Sequence, residues 1–200
     1  YPFAYLISKH AARRQRTVVL LVMLPMWMNF LIRTYSWMTI LGDSGVINSF
    51  LTAVGLEPAK LINTGGAVIL GMVYNFLPYM ILPIYSVLSK LDGSLIEAAE
   101  DLGSSRHQVF RRVVLPMSLP GVLSGITMVF VPAVSTFAIS RLLGGGTQMM
   151  LGDLIEQQFL GGAYNPQLGA AIALVMMAIV VVCMLVMNRF GDGEEQAVML

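Results

Sequence analysis

The chain has 200 residues, 56% of them apolar and only 12% charged, and its mean hydropathy is +0.76. A water-soluble core of this length could not hide so much apolar surface, so the composition excludes an ordinary soluble domain and points to an integral membrane protein. A net charge of +1 with no basic stripe says nothing of nucleic acid, and no nucleic-acid partner is expected; the single cysteine, Cys183, excludes an internal disulfide.

In chain order, Tyr1-Pro2-Phe3-Ala4-Tyr5-Leu6-Ile7-Ser8 reads as the last turns of a membrane helix. No basic region precedes it, so it is not a signal peptide, and at least one further span is expected upstream. Four segments are apolar enough to cross a bilayer, which takes about 20 residues of helix. They run over Thr17 to Ile32, Gly65 to Leu88, Gly121 to Ser140 and Leu168 to Met187. Pro25, Pro78, Pro83 and Pro132 lie inside them and are expected to kink the helices rather than break them. The expected architecture is a single all-α domain over residues 1–200, a polytopic bundle of four full transmembrane helices plus the end of a preceding one.

Between the first two spans, Arg33 to Thr64 carries turn chemistry at Gly42-Asp43-Ser44-Gly45, at Gly55 and at Glu57-Pro58. Trp27, Tyr35 and Trp37 suit an aromatic belt at the membrane exit. After the third span, Gly144-Gly145-Gly146 reads as a hinge before a short amphipathic surface helix over Met149 to Phe159. Lys9, Arg13, Arg14, Arg16, Lys90, Arg106, Arg111, Arg112 and Arg189 fall on one side of this arrangement, and only Arg33, Lys60 and Arg141 on the other. By the positive-inside rule the loop between the second and third spans, and the Gly191–Leu200 tail, are expected to be cytoplasmic.

That loop, Ser94 to Pro116, is charged and carries two helix-start signatures in succession. Ser94 stands three residues before Glu97 and Ser105 three before Gln108, so each serine is expected to cap a helix whose acidic or amide side chain reaches back. Gly103, between them, can take the left-handed conformation that ends the first helix. Leu95, Ala98, Ala99 and Leu102 are expected to form a small apolar face at helical spacing.

The wording of the loop is more specific than its shape. Glu97-Ala98-Ala99, three residues, Gly103, nine residues, the aliphatic Val113, one residue, then Leu115-Pro116 resembles the EAA loop of ABC-importer permeases. The family usually has Ile where Val113 stands. Leu31-Ile32-Arg33-Thr34-Tyr35-Ser36-Trp37, Leu77-Pro78-Tyr79 through Tyr85, and Leu151-Gly152-Asp153-Leu154-Ile155 extend the likeness to the spermidine/putrescine-type branch. The resemblance implies a type I, binding-protein-dependent permease subunit in the bacterial inner membrane. It implies an external solute-binding protein, a second homologous permease subunit and a cytoplasmic dimer of ATP-binding subunits that holds ATP and Mg. In that family Glu97, Ala98, Ala99, Gly103, Val113, Leu115 and Pro116 would belong to the loop that couples to the ATPase. The solute is less specified, because the branch handles several small organic solutes.

The rest of the chain offers little chemistry. It has no GxxxxGK[ST] phosphate loop, so no cofactor site is expected on this chain, and no catalytic or metal residues are assigned. His10 and His107 lack partners at metal-ligand spacing, and the fifteen methionines lie mostly as single packing residues in apolar spans. Gly121 and Gly125 form a GxxxG suited to close helix approach, in a transporter against the partner permease. Asn29, Asn75, Thr127, Ser135 and Thr136 are the polar groups within spans and the candidates for lining a pathway. Asp43, Asp153 and Glu156, on the external segments, are candidates for contact with a binding protein. An ion-coupled secondary transporter or channel is the alternative, and it would need mid-span ionisable residues that this sequence lacks.

Overall fold

The computed structural model describes residues 1–162 and 164–191, and among these all regular structure is helical. The helices are α1 (Pro2–Ser8), α2 (Ala12–Trp27), α3 (Phe30–Leu41), α4 (Val46–Ala53), α5 (Gly65–Ser89), α6 (Gly93–Asp101) and α7 (Arg106–Val109). A π-helical segment, Phe110–Val114, leads into α8 (Leu115–Met117), followed by α9 (Leu119–Ser135), α10 (Ala138–Gly144), α11 (Leu151–Leu160) and α12 (Pro166–Gly191).

Two helices, Gly65–Ser89 and Pro166–Met187, are long and apolar enough to cross a membrane unbroken. Two bent pairs also qualify if each is taken as one span: Arg13–Trp27 with Phe30–Ala53, bent by 92°, and Arg106–Met117 with Leu119–Ser135, bent by 55°. The expected spans differ from this in two places. Helix α2 stops at Trp27 inside the expected Thr17–Ile32 segment, because the side chain of Asn29 accepts from Leu31 N at 2.9 Å and starts a new helix. The expected Gly121–Ser140 segment breaks at Thr136-Phe137, where α9 ends and α10 begins. Pro78 and Pro83 sit within an uninterrupted α5, as expected, whereas Pro25 and Pro132 lie in the last turn or so before these two ends.

The chain divides into two compact units. One comprises Tyr1–Met23, Pro78–Val129 and the chain from Val182. Its core is Ala4, Ile7, Ile81, Ile84, Leu88, Val109 and Val114, with Tyr1 and Tyr5 edge-on to Phe110. Here the GxxxG has a partner within the chain itself. A Cβ on Gly121 would come within 2.9 Å of the Pro83 carbonyl oxygen and of Val87, and one on Gly125 within 2.8 Å of Met80 Sδ. The motif therefore seats α9 on α5, because the missing side chains are what let the two backbones approach.

The other unit comprises Leu24–Leu77 and Phe130–Val181. Its core is Leu41, Ala67, Val68, Ile139 and Leu143, and Trp37 packs edge-on against Tyr74. The Arg33–Thr64 segment holds more regular structure than its turn residues suggest, since α3 and α4 occupy much of it. Buried Asn48 fastens the remainder, donating to the Gly42 and Ala59 carbonyls and accepting from Ala59 N. The glycine run after α10 is a defined turn, with Gly145 and Gly146 at φ +57° and +76°, and α11 forms where a short amphipathic helix is expected.

Candidate functional site

The loop between α5 and α9 folds as a helical hairpin whose shape is set by local hydrogen bonds. Helix α6 starts one residue before Ser94, and its cap is Asp92, whose carboxylate accepts from Ser94 N at 3.0 Å. The expected Ser94–Glu97 capping box is therefore replaced. Asp92 captures the first free amide, which leaves Ser94 inside the first turn and Glu97 exposed with no capping bond. Asp92 is exposed, and the Ser94 backbone bond, aided by the Ser94 side chain, lowers its carboxyl pKa.

The far end of α6 follows expectation. Gly103 has φ +80°, Ser104 N donates to the Ala99 carbonyl at 3.1 Å and Gly103 N to the Glu100 carbonyl at 2.8 Å. This is a Schellman closure with glycine in its left-handed position. Nothing lies within 4 Å of where a Cβ on Gly103 would be, so the glycine serves backbone conformation and not close packing. Ser105 and Gln108 form the expected reciprocal capping box, with bonds of 2.9 and 3.4 Å.

Beyond the box the helix widens to π geometry over Phe110–Val114, and Leu115 N reaches back to the Phe110 carbonyl. Pro116 has no N–H to offer the Arg112 carbonyl, which removes one ordinary helical bond at this point. Val109 and Val114 are buried in the core, with Val113, Phe110, Ile96 and Ala99 packed around them. Leu115 is half-buried and Pro116 exposed.

The apolar face of α6 is not where spacing puts it. Ile96 and Ala99 turn inward, whereas Leu95 is 41% and Leu102 87% exposed, with Ala98 and Glu97 exposed beside them. The face expected from Leu95, Ala98, Ala99 and Leu102 is thus divided: only Ala99 meets the core, and the others form an open apolar edge next to a carboxylate. Arg106, Arg111 and Arg112 are exposed on the second arm.

The polar groups of the spans do not form one constellation. Asn29 is exposed and engaged as the cap of α3. Thr127 bonds back to the Leu123 carbonyl at 2.9 Å, and Ser135 to that of Val131 at 3.0 Å. Thr136 stands in the break between α9 and α10. Asn75 is buried, donates to the Gly71 carbonyl and leaves its Oδ1 without a partner.

Of the three external acids, Asp43 alone is an exposed surface group. Asp153 is buried, accepting from Ser140 Oγ at 2.6 Å and from Met150 N at 2.9 Å, so it holds the start of α11 and is not free to meet a binding protein. Glu156 pairs with Arg141. Sequence reasoning missed Arg33 as a core residue. It is 8% exposed, with Nε and Nη1 buried and unpartnered, and an arginine at a membrane exit reads as a surface anchor.

Comparison with known proteins places this hairpin in context. Residues 2–193 match the family described as "Binding-protein-dependent transport system inner membrane component". The chain belongs to that family. It is thus a multi-pass inner-membrane transport component. This family member is 41% identical over 186 residues to the spermidine/putrescine transport system permease protein PotB of Haemophilus influenzae, covering 90% of the chain and 65% of the relative. It is 37% identical over 191 residues to the PotB of Escherichia coli, covering 94% of the chain and 69% of that relative. The chain therefore spans about two thirds of the length of the curated relatives it matches. Its fold is similar to that of a chain in the crystal structure of a bacterial alginate ABC transporter in complex with an alginate pentasaccharide-bound periplasmic protein. The TM-score is 0.78 at 19% identity, over 95% of this chain and 69% of the other.

Proposed function

We propose that this family member is the permease subunit of an ATP-driven importer that moves a polyamine such as spermidine or putrescine from an external binding protein to the cytoplasm. The observation that carries the reading is the open edge of α6. Leu95, Ala98 and Leu102 stand unburied beside Glu97 on a helix whose two ends are closed by Asp92 and Gly103. A rigid, locally capped helix with an uncovered apolar edge is suited to a groove on another protein, because docking it costs little conformational entropy. The EAA wording of that helix and the likeness to PotB support the reading that the groove belongs to a cytoplasmic dimer of ATP-binding subunits.

In this reading the chain binds no cofactor, and ATP and Mg belong to the ATP-binding subunits. Closure of those subunits carries the hairpin, and the spans, paired with a second homologous permease, alternate access between the two sides. Glu97 and the Leu95–Ala98–Leu102 edge would meet the groove. Gly103 would set the angle between the arms, and Val113, with Leu115 and Pro116, would tie the second arm to the spans. The hairpin would face the cytoplasm, as the basic residues of the sequence indicate; the tail beyond Gly191 lies outside the described residues.

The test is uptake of labelled spermidine by the intact complex in proteoliposomes, with binding protein outside and ATP inside. ATP-dependent uptake that is lost without the ATP-binding subunits is expected, and uptake driven by an ion gradient without ATP would overturn the reading. For topology, single cysteines at Ser105 and Ser49 in a background lacking Cys183 should label oppositely with an impermeant thiol reagent. Labelling of Ser105→Cys from outside intact cells, with Ser49→Cys silent, reverses the proposed orientation.

A further inference from the structure

Helices α10 and α11 and the turn between them enclose a cavity of about 110 Å³, with Arg141, Gln148, Met149, Asp153, Glu156 and Gln157 among its lining residues. All of these belong to one compact unit. Asp153, Glu156 and Gln157 stand at helical spacing, so one face of α11 forms a wall of the cavity. A water takes up about 30 Å³, so the space admits an amine head and a few carbons.

The polar groups of this lining are unevenly satisfied. Asp153 is 8% exposed, and both hydrogen bonds it accepts, from Ser140 Oγ and Met150 N, fall on Oδ2. Its Oδ1 accepts none among the described residues, yet it is not sealed in the interior as Asn75 Oδ1 is, so it faces the cavity. Glu156 gives one oxygen, Oε1, to Arg141. The Arg141 side chain is 62% exposed against 14% for Glu156, so the arginine stands at the mouth. Two carboxylates therefore share one guanidinium, and one negative charge is in excess.

We propose that this cavity is a binding site for one primary ammonium group, held between Asp153 Oδ1 and Glu156, with Arg141 as the resident cation that competes for Glu156. An alkylammonium brings three N–H donors, and charged acceptors make the stronger hydrogen bonds. Its charge cancels the excess, whereas an anion would meet Asp153 and a guanidinium already engaged. A divalent metal is the poorer fit, because no group of three His, Cys, Asp or Glu side chains able to hold one occurs among the described residues. Met149 offers the methylenes of an amine an adaptable apolar contact. The inference deepens the transport reading above, and rests on it for the cavity lying on the outer side and for the amine being the cargo. A binding protein's surface cannot reach buried Asp153, but a small amine released from it can.

The test is a ligand-observed NMR titration of the intact transport complex in detergent, without binding protein, using n-butylammonium, tetramethylammonium and potassium chlorides. Saturable binding of n-butylammonium is expected, and neither potassium nor tetramethylammonium, which has no N–H, should displace it at equal concentration. Glu156→Gln should weaken binding about tenfold, the loss of one bond to a charged group. Asp153→Asn should weaken it as much while the complex stays folded, because an amide oxygen can still accept from Ser140 and Met150. Arg141→Gln should tighten it by removing the competitor. Displacement by potassium or tetramethylammonium, weaker binding in Arg141→Gln, or wild-type binding in both carboxylate variants overturns the site. If Asp153→Asn fails to assemble, Glu156→Gln decides alone. Binding-protein affinity lost in Glu156→Gln, with no binding of n-butylammonium, also overturns it, since the occupant is then a lysine of that protein. If n-butylammonium binds as described while spermidine is not taken up, the cargo assignment falls and the site stands. If spermidine is taken up and n-butylammonium never binds, the site falls and the cargo assignment stands.

Discussion

The α6–α7 hairpin and the α9–α11 region hold their shapes by different means. In the hairpin every decisive bond joins residues a few positions apart: Asp92 to Ser94, Ser104 to Ala99, Ser105 to Gln108. In the α9–α11 region the decisive contacts join different elements: Gly152 against the Thr136 carbonyl, Asp153 to Ser140, Gly71 against Ile139. A hairpin made of local bonds can keep its form while its outer edge is bare, which a docking element requires. A region made of distant contacts depends on each of them, and a single added carbon is felt there.

The largest expected effect tests that dependence. Gly152→Val places carbon against two backbone oxygens that cannot rotate away, at 2.5 and 2.9 Å. It should destabilise the protein by about 3 kcal/mol, at the upper end for overpacking. The measurement is the unfolding midpoint of the purified complex, and an unchanged midpoint would show that α11 does not bear on the end of α9. Asp153→Ala comes next, because it leaves the Met150 amide without its acceptor and the buried Ser140 hydroxyl with the Phe137 carbonyl alone. A loss of about 1–3 kcal/mol is expected in the same assay.

Gly103→Val is the matching test in the hairpin. The site is open, so only the positive φ opposes a side chain, at a cost of about 1–2 kcal/mol. Because that cost falls on the angle between the arms, transport and transport-stimulated ATP hydrolysis should fall together while assembly stays normal. Wild-type transport by a normally assembled Gly103→Val complex would reduce the hairpin to a connector. Glu97→Ala sharpens the comparison further. Glu97 makes no capping bond, so its loss should leave the unfolding midpoint unchanged and lower only the coupled ATPase rate. A drop in stability of about 1 kcal/mol, as for a lost cap, would mean that Glu97 does close the helix.

The smallest effect is a pH dependence. The Asp92 carboxyl is held below its ordinary value of 3.8 by the Ser94 backbone bond. Its stabilisation of α6 is therefore complete above that value and is lost as pH falls through the lowered one. Amide exchange at the start of α6 should quicken over that acid range in the wild type, and Asp92→Asn should show no such step.

Much of the hairpin was legible because its determinants are close in sequence. Ser105 and Gln108 announced their box, and Gly103 its left-handed turn. Asp92 was overlooked although it stands two residues before Ser94, because two competing caps at one helix start differ only in which amide each reaches. The direction of the apolar face also misled. The spacing of Leu95 and Leu102 suggests one buried face, yet Ile96 and Ala99 point inward, since packing against the core decides which side is covered.

By itself the sequence determined the all-helical membrane class, the positions of the apolar segments, and the capped hairpin with its EAA wording. Those rest on composition, on helical period and on bonds across three or four residues. Only the tertiary structure decided that α9 stops at Ser135, that Gly121 and Gly125 admit α5 of the same chain, and that Asp153 and Arg33 are buried. A residue's burial and a helix's end are set by what packs against them, and those partners belong mostly to other elements of the chain.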